Sequence, residues 1–327
     1  MTFVIPDIMI TEDVKKSITI LKNDGVVAIP TETVYGLAGN AFSEKAVRRI
    51  FDLKRRPEYN PLIVHIDSID KLKIIAKEIP KAAIDLANEF WPGPLTLILK
   101  KQDCIPDLVT SGKDTVAVRM PNHPLTLQLL KQLEFPLAAP SANPFSEISP
   151  TSASHVHKYF QDKIEIILDG GDCEKGLEST IVGFENGVPI VYRLGALCIS
   201  KIQKSVGEIK LNNSISKIAE VKSPGMLTRH YSPKTKIILS DNLDSIIGEH
   251  QGKKLGLLLF NKNTSFNNST IKICLSESGD LEEAARNLYS ALHQLDSLNL
   301  DLLIAEHFPD EGLGKAINDR LKRAVSK

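Results

Sequence analysis

At 327 residues, 42% hydrophobic and 24% charged, the chain can build one large globular domain and a smaller one around a real apolar core. Its 40 lysines and arginines balance its 40 aspartates and glutamates, which excludes broad electrostatic coating of a polyanion. Any anion site must be a local concentration of cations. The four cysteines (Cys104, Cys173, Cys198, Cys274) are too scattered for a disulfide framework or a zinc site. No apolar run reaches the ~18 residues of a membrane span. The start lacks the basic-then-apolar order of a secretory signal, so a cytoplasmic protein is expected.

In chain order, β-branched apolar runs bounded by glycine or proline predict strands over 25–30, 62–66, 95–99, 116–119, 137–139 and 164–168. Helices are predicted from Ser43, an N-cap ahead of the Ala46, Val47, Ile50 and Phe51 face, and over 70–79, 81–90 and 123–132. Strands and helices alternate without strict βαβ units, so the expectation is an α/β fold on a twisted mixed sheet. Residues 199–222 read as weakly patterned connecting material. Ser223–Pro233, with two prolines and a glycine, reads as a structured linker. Beyond it, strands at 237–239, 255–260, 271–275 and 302–304 and helices at 281–295 and 313–324 predict a smaller Rossmann-like α/β domain. The expected division is 1–205, 206–234 (linker) and 235–327.

Neither the Walker phosphate loop nor the dinucleotide glycine fingerprint is present, so a bound nucleotide would be held by side-chain cations and scattered amides. Lys54-Arg55-Arg56-Pro57 closes the first long helix. Three cations there complement the helix dipole, or Lys54 and Arg56 are aimed together at one anion. Pro30–Leu37 and Ala139–Pro144 follow strands and read equally as turns or as the rim of a crevice. Ser141 lacks a nucleophile elbow and reads as a hydrogen-bond donor, with Asn143. His65, Arg119 and Arg193 sit in or beside apolar strands, as structural ion pairs or as a carboxylate clamp. His155-x-His157 reads as surface, because no third ligand is in view.

The ordered set is more specific than its members. Pro30–Leu37, Lys54-x-Arg56-Pro57, Trp91-Pro92-Gly93-Pro94-Leu95-Thr96, Val116–Arg119, Pro140–Asn143 and Glu178–Val182 closely resemble the YrdC/TsaC family of threonylcarbamoyl-adenylate synthases. Ser223–Pro233 and Gly312–Leu321 resemble its longer, two-domain form. The resemblance implies a YrdC-like catalytic domain with a large open cavity, capped by the linker as a lid. It implies that L-threonine, bicarbonate or CO2 and ATP, with Mg2+, give threonylcarbamoyl-adenylate and pyrophosphate. The product would pass to a tRNA threonylcarbamoyl transferase complex, the enzyme itself binding tRNA weakly.

Carried over by position, the resemblance puts Lys54 and Arg56 in the catalytic role. It puts Lys54, Arg56, Asn60, Thr115, Ser141, Asn143, Ser149, Arg193 and Tyr231 on the ATP. Thr33, His65, Arg119 and Ser179 fall on the threonine side, with Arg119 facing the carboxylate; the metal ligands are not indicated. Two rivals are weighed: a non-catalytic double-stranded RNA or tRNA binder, motivated by the arginine cluster at 48–56, and a carbamoyl-transferring maturation enzyme. Zero net charge counts against the first. The absence of cysteine pairs counts against the second.

Overall fold

The computed structural model describes residues 8–212, 230–261 and 271–325. Most of the linker therefore lies outside the described residues, and the lid expectation is read only through its end, 230–233.

Among the described residues, twelve strands form one mixed sheet: β1 (Met9–Thr11), β2 (Val27–Ile29), β3 (Gly36–Asn40), β4 (Ile63–His65), β5 (Ala76–Lys77), β6 (Leu95–Lys101), β7 (Thr115–Arg119), β8 (Leu137–Ala138), β9 (Ile166–Leu168), β10 (Thr180–Glu185), β11 (Val188–Arg193) and β12 (Lys210–Leu211). Their order is β1-β9-β2-β3-β8-β4-β7-β6-β10-β11-β12, with β5 beside β6. Parallel and antiparallel pairs alternate near the middle. β4–β7 and β6–β10 run parallel, whereas β7–β6 and β10–β11 run antiparallel.

The helix Glu44–Lys54 forms as its sequence dictates. Ser43 caps it by accepting from the Ala46 amide, and Ala46, Val47, Ile50 and Phe51 are buried. It stops at Arg55, which adopts a left-handed φ of 51°, two residues before Pro57, whose ring disfavours helix in the residue ahead of it. The helix expected over 70–79 is only Leu72–Ile75, because Ala76 and Lys77 instead pair with Lys101 and Lys100 of β6. Nor is 199–222 unpatterned where it is described: Ile199–Val206 is a helix, and β12 extends the first sheet past residue 205. Ile199, Ile202 and Val206, spaced at helical intervals, pack on the first core.

The second sheet is all parallel, in the order β13 (Ile237–Ser240), β16 (Leu302–Glu306), β14 (Leu255–Leu259), β15 (Ile271–Cys274). Successive side chains point to opposite faces. Leu257, Leu259, Leu302 and Ile304 meet the helix Leu243–Glu249, whereas Leu258, Leu303 and Ala305 meet the helices Leu281–Asp296 and Gly314–Val325. Covered on both faces, this is the Rossmann-like layering expected. Its core does not end at the domain edge. Val34, Ile148, Leu177 and Tyr231 pack in one cluster with Leu288, Tyr289, Leu292, Ile317 and Leu321.

Candidate active site

Strand adjacency assembles the site. His65 ends β4, Arg119 ends β7, and the two are register partners. Across the antiparallel β7–β6 pair, Arg119 lies opposite Thr96, whose hydroxyl is 2.7 Å from that of Ser179, just ahead of β10. Arg193 ends β11 and folds back on Ser179, its Nε and Nη2 donating to the Ser179 carbonyl at 3.1 and 2.9 Å and its Nη2 to the hydroxyl at 3.1 Å. Gly195 is required next to it, because a Cβ there would strike the Glu178–Thr180 backbone. Residues far apart in sequence thus share one wall.

That wall encloses a cavity lined by Thr31, Thr33, Val34, Gly36, Arg56, Ile63, His65, Arg119, Ala139, Pro140, Ser141, Glu178, Ser179, Arg193, His230 and Tyr231. Its volume is about 50 Å³, well below the ~300–1,000 Å³ of ordinary ligand pockets. His230 and Tyr231, from the end of the linker, are among the residues that line it, and both are buried.

On one side, Thr33 and Arg119 form a braced pair. Arg119 donates from Nη1 to the Thr33 hydroxyl at 2.9 Å and from Nε to the Gly93 carbonyl at 3.2 Å. Its Nη2 lies 2.8 Å from the buried carboxylate of Glu32, an ion pair without hydrogen-bond alignment. His65 stands alongside with Nδ1 buried and unpartnered. Burial, reinforced by Arg119, pulls its pKa down to about 3, so the ring stays neutral at physiological pH.

On the other side the cations collect. Arg56 is braced by the carbonyls of Asn60 (3.0 Å from Nε) and Pro61 (2.9 Å from Nη2). Burial, with Arg193 nearby, lowers its pKa to about 9. Of the three cations read in Lys54-Arg55-Arg56, the middle one points to solvent and the outer two are buried. Yet Lys54 does not reach the cavity wall: its ammonium donates to the carbonyls of Ser141 and Asn143 and pins that loop. His230 has both ring nitrogens buried and unpartnered, and the Tyr231 hydroxyl is likewise unpartnered. Burial, with Arg56, Lys54, Arg193 and Arg320 around it, holds the His230 pKa well below the usual value.

Of the residues singled out from sequence, Thr33, Arg56, His65, Arg119, Ser141, Ser179, Arg193 and Tyr231 line the cavity; Lys54, Asn60, Thr115, Asn143 and Ser149 do not. Asn60 and Asn143 sit behind it with buried polar atoms unpartnered, and Ser149 donates to Glu178 at 2.6 Å. Thr115 opens β7 at the end opposite Arg119, roughly 13 Å along the strand at ~3.3 Å per residue. Thr31, Glu32, Thr96, Glu178, His230 and Arg320 were not singled out from sequence, although each is a buried charged or polar residue inside the stretches already marked. The expectation that His155 is superficial also fails: it is buried, stacked at 3.9 Å on His293 of the second domain.

Magnesium would need free hard oxygen ligands. Neither Glu178, in the cavity wall, nor Glu32, behind Arg119, fits that role, since Glu32 is ion-paired with Arg119 and Glu178 with Arg320. No group of three His, Cys, Asp or Glu side chains poised for a metal occurs among the described residues.

Residues 19–195 match the Sua5/YciO/YrdC family profile, described as telomere recombination, and residues 197–326 match the profile for the C-terminal domain of threonylcarbamoyl-AMP synthase. The chain belongs to this family. A threonylcarbamoyl-AMP synthase of Pyrococcus abyssi is 42% identical over 316 residues, covering 93% of this chain and 91% of its own. One from Bacillus subtilis is 39% identical over 321 residues, covering 95% and 92%. The crystal structure of Pyrococcus abyssi Sua5 complexed with L-threonine superposes with a TM-score of 0.90 at 40% identity, covering 97% of each chain. Escherichia coli YciO, at 22% identity and a TM-score of 0.52, shares the fold of the first domain, covering 57% of this chain and 93% of its own. Family membership thus extends over both domains.

Proposed function

We propose that this chain is an L-threonylcarbamoyladenylate synthase, performing the first step of threonylcarbamoyladenosine modification of tRNA in the cytoplasm. The observation that carries the reading is one cavity with a braced arginine and a neutral histidine on one side and buried cations on the other. Among the described residues no helix is long and apolar enough to cross a membrane.

L-Threonine binds at Thr33, His65, Arg119 and Ser179. A guanidinium has five N–H donors, and Gly93, Thr33 and Glu32 do not exhaust those of Arg119, which takes the substrate carboxylate. Clamping it there keeps that carboxylate from phosphorus and turns the amine inward to form the carbamate with bicarbonate or CO2. The neutral His65 offers its unpartnered Nδ1 to the threonine hydroxyl; a ring that takes up a second proton only near pH 3 is better suited to hydrogen bonding than to proton abstraction.

ATP binds across Arg56, Ser141, Arg193, His230 and Tyr231, with the α-phosphorus toward the carbamate. Attack by the carbamate oxygen expels pyrophosphate. Arg56 offsets the charge that builds on phosphate oxygens, and Lys54 acts at one remove by holding the Ser141–Asn143 loop, rather than as a direct phosphate ligand. Magnesium would enter only as the counter-ion of the nucleotide, where it would offset phosphate charge, since Glu32 and Glu178 are already ion-paired. His230 and Tyr231 withdraw to admit substrate and return to exclude water, as a lid. The arginines that define the site are inside: Arg56, Arg119 and Arg193 are 4–7% exposed. Such cations suit a small anion; of the cluster at 48–56 that motivated the RNA-binding reading, Arg56 is buried in the site and Arg48 and Arg49 pair with Glu58 and Glu165, which favours the adenylating site and leaves any tRNA contact weak.

Pyrophosphate release from ATP is the test, with and without bicarbonate and with threonine, serine or valine. Release that needs bicarbonate and prefers threonine is expected. Release with threonine alone would make the protein a simple amino-acid adenylase and overturn the reading.

A further inference from the structure

The second domain reaches the wall of the cavity through two side chains that the proposed chemistry does not use. Glu178 faces the cavity beside Arg193, where a carboxylate opposes the binding of a polyanionic nucleotide. It is closed off from behind. Arg320, from the helix Gly314–Val325, donates from Nε to its Oε2 at 2.8 Å; Tyr289, from the helix Leu281–Asp296, donates its hydroxyl to the two oxygens at 3.0 and 2.9 Å; Ser149 takes Oε1 at 2.6 Å. Arg320 is 1% exposed and does not line the cavity. Its other nitrogens donate to the Leu194 carbonyl at 2.7 Å and to Asp319 at 2.6 Å, and its guanidinium carbon lies 4.8 Å from the centre of the Tyr231 ring. Tyr231 holds a left-handed φ of 63°, stacked at 5.8 Å on Tyr289. A non-glycine residue keeps that conformation only when its surroundings impose it.

We infer that Arg320 is a positioning residue for the nucleotide side of the site, neutralising Glu178 and seating the Tyr231 ring so that the cavity receives phosphate without an uncompensated carboxylate in its wall. The second domain is then part of the nucleotide site's electrostatics as well as a support for the lid. The inference rests on the adenylate-synthase reading. Burial alone would raise the Glu178 carboxyl, but Arg320 and Arg193 outweigh it and hold it below the ordinary carboxylate range, so the negative charge is permanent and its partner is needed throughout. Removing one member of a buried pair leaves the other charged and alone.

The test is calorimetric titration of the full chain with a non-hydrolysable ATP analogue and, separately, with L-threonine. Arg320→Met is expected to weaken analogue binding about tenfold or more while moving threonine binding less than about threefold. The double variant Glu178→Gln/Arg320→Met, which removes both charges, recovers most of the analogue affinity, and Arg320→Lys, which keeps the charge, falls between. Should Arg320→Met not fold, the charge-balanced double variant and Arg320→Lys carry the comparison against wild type: the double must then bind the analogue at least as well as Arg320→Lys. Equal losses for both ligands, or a double variant no better than Arg320→Met, would reduce Arg320 to domain packing and overturn the inference. A wild-type chain that binds threonine but no nucleotide would instead overturn the adenylation reading on which it rests.

Discussion

The two sides of the cavity are built differently. On the threonine side the hydroxyls are already spoken for: Thr33 with Thr31 and Arg119, Ser179 with Thr96 and Arg193. On the nucleotide side, both nitrogens of His230, the Tyr231 hydroxyl, the Asn60 side-chain amide and the Asn143 side-chain oxygen Oδ1 are buried without partners. Buried polar groups left unpaired cost about 1–3 kcal/mol each. Apart from the His65 Nδ1 and the unaligned Glu32–Arg119 contact, the first arrangement is a preformed template for a small amino acid. The second holds unmet hydrogen-bonding capacity that a ligand or a moving lid can satisfy. Side-chain substitutions on the first should therefore be felt in stability even without ligand, and on the second chiefly in binding.

The largest effect should follow Arg119→Ala, which strands the Glu32 carboxylate in the interior. A loss of about 3–5 kcal/mol in denaturant unfolding is expected, because one partner of a buried ion pair has gone. Adding Glu32→Gln should return much of that stability yet leave threonine binding abolished; if threonine binding returned as well, Arg119 would not be its clamp. Arg56→Ala should cost less in stability than in rate. Loss of a well-placed donor to developing charge is worth about 2.7–4 kcal/mol, two to three orders of magnitude in kcat, and single-turnover pyrophosphate release would measure it.

A matched pair sharpens the contrast. Thr33→Val should destabilise the free protein by about 1–3 kcal/mol, because Arg119 Nη1 and the Thr31 hydroxyl lose a buried partner. Tyr231→Phe, which removes a hydroxyl that has no partner, should leave the melting temperature unchanged or higher while weakening ATP binding. If both variants behaved alike, the distinction between the two sides would be lost.

A further expectation concerns the seam between the domains. Burial, with Lys158 nearby, lowers the His155 pKa to about 4, and burial with His155 lowers that of His293 to about 3. The unfolded chain takes protons near pH 6.5 that the folded pair refuses, so this contribution is intact above that pH and is lost progressively as pH falls toward 4. Between pH 7 and 5 the pair should cost about 3–4 kcal/mol. His293→Phe should flatten the melting temperature against pH; an unchanged acid slope would remove the stacked pair from the account.

Much of this architecture was legible in the residues. The Ser43 cap, the buried face of Glu44–Lys54, the strands that carry His65 and Arg119 and the alternating strands and helices of the second, Rossmann-like domain all follow local rules of capping and alternation. What escaped was set by long-range pairing. Ala76–Lys77 read as helix because its strand partner lies more than twenty residues on. Nothing local reveals that the carbonyls of Ser141 and Asn143 meet the Lys54 ammonium. Glu178 and Arg320, 142 positions apart, stood in marked stretches, but their pairing could be seen only once the two domains were packed together. The cavity is likewise a product of assembly, since His230 and Tyr231 from the linker's end join its lining.

The most direct measurement is the mass of the adenylate formed from 13C-bicarbonate, L-threonine and ATP. If one cavity joins a threonine-derived carbamate to the nucleotide, the product carries threonine, AMP and one labelled carbon, and Arg119→Ala in the Glu32→Gln background makes none. A threonine adenylate without the label would contradict the account.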